Sequence, residues 1–373
     1  MPAKRNLRIL IAGAGPVGLT AALELARRGY RPRIVDEGDD LAPAVQSRAL
    51  AVNARTLFLL EPSGVTEKLL AEAQQICEMR IGAGVRRLMT IDLLATDSRH
   101  RGMHALPQGR TERILAEALA AYGIAVEWRT ECVAVSDPEI PVATLALPDG
   151  SRKDEPFDIV IGADGAHSTM RKSAGFDFPG SALSETFYLA DYRYAAPVDT
   201  SYAEARFFDP GVIARLPVSP SILRYVSTLP DFRERIEHPA PVDAVLWESD
   251  FHVSFRHTAQ MAKGNIFLAG DAAHIHSPVG GRGMNLGIED ACWLAWLIDE
   301  GRTGEYTRLR LTAVETVLAD TRRMTRLILM RNPILCALRN LAVPLLAAIP
   351  RVRQEGLNGV LGLDTPAPPW LPA

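Results

Sequence analysis

The segment Leu7–Asp36 constrains the fold more than any other stretch of this 373-residue chain. The apolar run Leu7–Ala12 suits a buried strand. It leads directly into Gly13-Ala14-Gly15-Pro16-Val17-Gly18, after which Leu19, Ala22, Leu23 and Ala26 fall at helical spacing and Gly29 can cap the end. Arg33–Val35 reads as a second strand that closes on Asp36 and Glu37. Strand, glycine turn, helix, strand and acid, in that order, form a βαβ unit suited to a dinucleotide. Gly13, Gly15 and Gly18, with Pro16 and Val17 between them, let the backbone approach a pyrophosphate at the positive end of the helix. Asp36, with Glu37 beside it, offers acceptors to ribose hydroxyls.

A second segment, residues 262–298, reads AKGNIFLAGDAAHIHSPVGGRGMNLGIEDACWLAWLI. The apolar run Ile266–Ala269 ends in Gly270-Asp271, where a carboxylate can meet a ligand hydroxyl. Pro278 through Gly283 then opens into a helix of about four turns. Such a helix start exposes unpaired N–H groups and partial positive charge, which Gly281, Gly283, Met284 and Asn285 can present to an anion. Between the two segments lies Phe157–Ile161, a fully apolar strand leading into Gly162-Ala163-Asp164-Gly165.

Composition excludes several classes. Hydrophobic residues make up 47%, charged residues 23%, and the net charge is −3, so no basic face for nucleic acid is expected. Cys77, Cys132, Cys292 and Cys336 lack CxxC spacing, which argues against a disulfide framework or a zinc site. The N-terminal apolar run is cut by the glycine loop and reads as a strand rather than a signal peptide, giving a cytoplasmic expectation. No carboxylate or cysteine cluster completes His274-Ile275-His276 as a metal site, so no metal is expected. Trp293 and Trp296 read as packing residues. Residues 327–349 are apolar, but Arg331, Pro333, Arg339 and Pro344 divide them into pieces too short to span a bilayer. The expected arrangement is C-terminal helices packed on the core; the alternative is an interfacial helix making peripheral membrane contact.

Helices are expected at Asn53–Leu60, Glu67–Ala73 and Arg110–Tyr122. Strands are expected at Arg86–Leu94, Val126–Arg129, Cys132–Val135 and Val142–Leu147, with a turn at Pro148-Asp149-Gly150. From 177 to 258 strands with turn signals dominate: Thr186–Tyr194, Ala203–Phe208, Val212–Leu216 and Ile222–Leu229. The fold class is therefore α/β: a Rossmann-like nucleotide domain (1–176, returning at 261–302), an inserted, mainly antiparallel β-sheet substrate domain (177–260), and a C-terminal helical region (303–373).

With these three motifs in this order, the chain resembles the FAD-dependent aromatic hydroxylases, single-component flavoprotein monooxygenases of the p-hydroxybenzoate hydroxylase type. The resemblance covers about residues 7–310 and is weakest over 177–258. It implies that Gly13–Gly18 and Asp36 hold the pyrophosphate and adenosine ribose of FAD. It also implies that Arg48, in SRALAVNARTL, lies near the pyrophosphate and that Gln108, in LPQGRTERIL, contacts the cofactor. Asp164 would belong to a motif serving both FAD and NAD(P)H, with Arg171 as its matching arginine. Asp271 would accept from the ribityl chain, and Pro278 and Gly281–Asn285 would border the flavin ring.

The implied activity is NAD(P)H-dependent insertion of one atom of O2, through a C4a-hydroperoxyflavin, into an aromatic or polycyclic small molecule. Two alternatives stand beside it: a flavin-dependent reductase or dehydrogenase of a lipid-like or terpenoid substrate, and a non-catalytic FAD-binding protein. Catalytic residues are not identifiable. Tyr192, Tyr194, Arg215, Arg224, Tyr225, His252 and His257 are pocket candidates, while Phe207 and Phe208 stand where a tyrosine could have activated a phenol. Oligomeric state is not encoded in any motif.

Overall fold

A computed structural model describes residues 7–43, 49–208 and 211–371. The chain opens with β1 (Ile9–Ala12), α1 (Pro16–Arg27) and β2 (Arg33–Val35), the expected βαβ unit. It continues through β3 (Ala51–Val52), α2 (Ala54–Leu60), α3 (Val65–Glu72), β4 (Gln74–Ile76), β5 (Glu78–Ala83), β6 (Arg86–Asp92), β7 (Met103–Ala105) and α4 (Gln108–Ala120). Asn53 caps α2 by accepting the Thr56 N–H at 3.0 Å. Next come β8 (Val126–Glu127), β9 (Glu131–Ser136), β10 (Val142–Ala146), β11 (Arg152–Pro156), β12 (Ile159–Gly162) and the short α5 (Thr169–Ser173).

The parallel sheet has the order β19-β12-β1-β2-β8, where β19 is Ile266–Leu268; β18 (Ala262–Lys263) adds an antiparallel edge. Every residue of β1, β12 and β19 is buried, as parallel strands covered on both faces require. The chain leaves β1 toward β2 on one side and later returns to β12 on the other. That reversal places a topological switch point beside β1, where open α/β sheets bind ligands.

The second sheet contains eight strands in the order β20-β17-β13-β16-β15-β14-β5-β6. Its members are β13 (Gly180–Tyr194), β14 (Tyr202–Phe207), β15 (Val212–Ser219), β16 (Ile222–Ser227), β17 (Val242–His257) and β20 (His274–Ile275), plus β5 and β6; α6 (Phe232–Arg235) is a single turn. Two features depart from the sequence expectation. The sheet takes β5 and β6 from inside the range assigned to the nucleotide domain, with β5 parallel to β14. It also contains β17, whose Asp243, Glu248 and Asp250 blur any alternation and which is a strand because it pairs with β13 along most of its length.

α7 (Gly283–Glu300), α8 (Tyr306–Ile328), α9 (Pro333–Ala347) and α10 (Pro350–Leu361) complete the chain. Pro344 does not end a helix, contrary to expectation: it sits in the last turn of α9, where the missing N–H removes a single bond. Pro333 and Pro350 instead start helices, with Asn332 capping α9. α7 and α8 pack on the core, but packing of α9 is only partial, since Cys336 and Arg339 are its buried residues. Among the described residues no single helix is long and apolar enough to cross a membrane. Trp293 and Trp296 pack against each other and against Trp370.

Candidate functional site

The three sequence motifs leave one edge of the parallel sheet. Ala12, Gly162 and Leu268 stand in register at the C-terminal ends of β1, β12 and β19, and each hands over within two residues to its motif. Gly13 adopts φ +103° and donates its N–H to Val35 O at 2.8 Å. A Cβ there would lie 2.3 Å from Ala163 O, and one at Gly18 would lie 1.8 Å from Gly13 O. At both positions the protein itself fills the space.

Gly15 differs. It adopts an extended conformation at the start of α1, and a Cβ there would meet nothing within 4 Å. No described protein atom demands glycine at 15, and no side chain caps the helix it precedes. That open position at a positive helix end fits the close approach of a pyrophosphate. Pro16 begins α1, while Val17 packs into Gly270 and Gly287, where Cβ atoms would come within 2.8 and 2.6 Å of it. Val17 thereby locks the first motif to the third.

Asp36 accepts the Ala14 N–H at 2.6 Å through one oxygen and the Gly38 N–H at 2.8 Å through the other. It secures the glycine turn, and each oxygen keeps a second lone pair for a ribose hydroxyl. Glu37 is exposed. Arg48 lies outside the described residues.

Gln108 begins α4 and donates to Glu112 at 2.8 Å. Glu112 also accepts the Ala42 N–H at 3.2 Å, and burial pushes its carboxyl above the usual range. Gly109 is a glycine because Ala42 and Pro43 carbonyls would lie within 2.7 Å of a Cβ. Arg110 faces away and forms a bidentate pair with Glu72.

Asp164 accepts the Met170 N–H at 3.0 Å through Oδ2, while its Oδ1 is buried with no protein partner. An orphaned carboxylate oxygen at this edge fits a ligand hydroxyl. Arg171 serves the structure: it donates to Ala166 O and Ala272 O at 2.9 Å and stacks on Phe178, tying the second motif to the third.

Gly270 and Asp271 form one 3-10 turn. Asp271 is solvent-exposed, and desolvation by the surrounding protein raises its carboxyl pKa. Beneath it lies a buried network that no sequence motif announces. Asp290 accepts the Gly270 N–H at 3.1 Å, meets His274 Nε2 at 2.6 Å and accepts from Arg310 at 2.8 Å. Arg310 also reaches Glu289 at 2.9 Å. Burial alone would raise the Asp290 carboxyl, but His274 and Arg310 hold it below the ordinary value. The one available signal is the Glu289-Asp290 pair inside the otherwise apolar stretch 286–298 of α7.

At the start of α7, Pro278 is exposed and Gly281 adopts φ +64° with Ala51 Cβ 2.7 Å from a Cβ position. A Cβ at Gly283 would meet nothing nearer than His276 Nε2 at 3.9 Å. The Asn285 side chain is fully used: it accepts from the Asn53 N–H and Thr56 hydroxyl and donates to Ala51 O and Gly281 O. The first-turn backbone N–H groups of Gly283, Met284 and Asn285 are what this helix end can offer, since no side chain caps it. His276 bonds Ser277 O at 2.8 Å through Nδ1, and burial pushes its pKa down to about 4, so it is neutral near pH 7.

The eight-stranded sheet sorts the substrate-side candidates by face. Tyr194 OH lies 3.3 Å from Tyr225 OH and 2.9 Å from His238 Nδ1, in a cluster with Tyr192, Leu223 and Phe232 that residues 229–241 cover. The opposite face carries Leu216, Arg224, Asp191 and Trp247 in one register row. Leu216 packs against Leu50, Met103 and Leu357, so this row turns toward the nucleotide domain. Arg224 and Asp191 are buried and paired bidentately at 2.7 and 2.8 Å. Arg215 is used on Tyr202 O at 3.0 Å, and His252 is exposed.

A model of the FAD-binding domain family matches residues 6–234 and 224–317. The chain is 32% identical over 389 residues to a 6-methylpretetramide 4-monooxygenase of Streptomyces rimosus, an alignment covering 95% of this chain and 69% of that protein. An anhydrotetracycline hydroxylase structure from Streptomyces rimosus matches with TM-score 0.79 at 28% identity, over 97% of this chain and 77% of the other. A p-nitrophenol 4-monooxygenase from Pseudomonas putida DLL-E4 shares the fold with TM-score 0.85 at 22% identity, over 97% of this chain and 99% of the other.

Proposed function

Because this chain belongs to the FAD-dependent aromatic hydroxylase family of flavoprotein monooxygenases, we propose that it inserts one oxygen atom from O2 into a polycyclic aromatic small molecule, with NADH or NADPH as reductant. The observation that carries this reading is the open Gly15 position at the sheet edge where three motifs meet. The named relatives that act on tetracycline-type ring systems support the polycyclic class.

The chemistry that FAD supplies when bound is transfer of reducing equivalents from NAD(P)H to O2, with one oxygen atom delivered to the organic substrate. The residues of the chain bind and orient. Gly13–Gly18 and the start of α1 would receive the pyrophosphate, and Asp36 would hold the ribose. Asp164 Oδ1 and Asp271 offer acceptors to the ribityl hydroxyls. With FAD bound, the N–H groups of Gly283, Met284 and Asn285 would be available to the flavin ring, where a positive helix end stabilises negative charge. Asp290, Arg310 and Arg171 keep these loops in place. Water is excluded by the sheet face that carries the register row Ala214–Val226–Leu189 together with Phe187 and Phe251.

The test is to reduce the holoprotein anaerobically with NADH or NADPH and then admit isotopically labelled O2 with polycyclic phenols. One labelled atom in the product is expected. Substrate turnover without O2, or flavin reoxidation that yields only hydrogen peroxide across the whole class, would sink the reading.

A further inference from the structure

α9 is inside out. Its Arg339 is 7% exposed, donates to Leu327 O at 2.8 Å and stacks on Phe207 at 3.9 Å. The helix turns Ile334, Leu338, Leu341 and Leu345 to solvent instead, each more than half exposed, and Ile349 and Val352 at the start of α10 are exposed as well. Ile334, Leu338, Leu341 and Leu345 recur every three or four residues, so they form one apolar face along the outside of α9. A soluble helix packed only on its own core would show the opposite arrangement, and a contiguous apolar patch of this kind marks an interaction surface.

The exposed charge that flanks this stripe in sequence is cationic. Arg331, Arg351 and Arg353 are exposed against the single acid Glu355, and the last turns of α8 add the exposed Arg323 and Arg326, in a chain of net charge −3. Arg323, Arg331 and Arg351 are strongly exposed. Their pairings with Asp320, Glu185 and Glu355 are surface contacts that leave the local excess in place. α9 and α10 also meet at 98°, so the pair cannot thread a bilayer as one rod but can lie in its surface plane.

We propose that α9 and α10 form a docking face for an anionic phospholipid surface, with the leucine stripe entering the acyl boundary and the flanking arginines meeting phosphates. Charge decides between occupants. Two copies of the chain meeting through this face would bring like-charged arginines together, whereas an anionic bilayer is complementary to both the stripe and the arginines.

The test is flotation of the FAD-loaded protein with vesicles of phosphatidylcholine alone, or with about 30% phosphatidylglycerol added. Binding to the anionic vesicles only, weakened by high salt, is expected. The double variant Leu338→Gln/Leu345→Gln should lower that binding about tenfold with unchanged FAD content and thermal unfolding. Ile334→Gln/Leu341→Gln gives the same reading if the first pair misfolds. Arg351→Gln/Arg353→Gln should reduce the preference for anionic vesicles. Absence of vesicle binding, equal binding to both vesicle types, or binding indifferent to the leucine variants would overturn the proposal. A dimer in sedimentation equilibrium that the same variants abolish, without vesicle binding, would assign the face to a second copy.

Discussion

The parallel edge and the eight-stranded sheet are built by different means. At the edge, β1, β12 and β19 end in register, and each is followed at once by a short motif. The sheet assembles the row on the face away from the tyrosine cluster from residues far apart in sequence: Leu216, Arg224, Asp191 and Trp247. The edge is made of backbone groups held by glycines and buried acids, a construction suited to one invariant cofactor. The sheet presents side chains that can change one at a time without disturbing the edge. On the proposed function, cofactor recognition would be written locally, and substrate choice would be spread over tertiary pairings.

The harshest way to break that contrast is Gly18→Ala. Its Cβ would lie 1.8 Å from the Gly13 carbonyl oxygen, which is backbone and cannot swing aside like a side chain. Relief requires moving α1 off β1, so a loss of more than about 4 kcal/mol is expected, with FAD retention lost as well. Thermal unfolding and flavin content measure both; near-normal values for each would show that the loop relaxes and that the edge is not rigid.

Asp191→Asn probes the sheet instead. It leaves the Arg224 guanidinium buried without its bidentate carboxylate, at an expected cost of about 3 kcal/mol in thermal unfolding. FAD affinity in the surviving folded protein should stay unchanged. A parallel loss of FAD affinity would mean that the sheet row helps to hold the cofactor and that the two regions are not separable.

The same contrast explains what can be read from the sequence. Gly13–Gly18, Asp164 and Gly270-Asp271 are legible because each motif lies within a few residues of a strand end. The Asp290–Arg310–His274 network is not, since its partners stand 16 and 20 residues apart on separate elements. β17 escapes because charged residues interrupt its alternation, and only pairing with β13 makes it a strand. Tyr192, Tyr194 and Tyr225 are candidate pocket residues by type, yet strand alternation alone does not say which face meets the nucleotide domain. α9 carries the same lesson: periodicity gives a helix an apolar stripe, but which way the stripe turns depends on where Arg339 finds its partners.

Gly15→Ala sharpens the comparison at lower amplitude. Nothing within 4 Å opposes the added methyl group, and the extended backbone suits any residue, so unfolding of the FAD-free protein should not change. FAD affinity should fall about tenfold, or about 1.4 kcal/mol, if a pyrophosphate passes there. Unchanged affinity would remove the observation on which the cofactor placement rests.

Tyr194→Phe should have the smallest effect, and it tests the assignment of the two sheet faces. The Tyr194 hydroxyl meets Tyr225 and His238 in a cluster covered by residues 229–241, and burial raises its pKa so that it stays protonated. Removing it deletes one hydroxyl and its bonds, a loss of about 1 kcal/mol in unfolding. On the covered face it touches neither cofactor nor substrate, so kcat/KM for a turned-over substrate should stay within about twofold of the parent, which is under 0.5 kcal/mol of transition-state stabilisation. A fall of about tenfold or more, with stability nearly intact, would place the tyrosine–histidine cluster in the pocket. The substrate side of the molecule would then have to be redrawn on the opposite face from the Asp191–Arg224 pair.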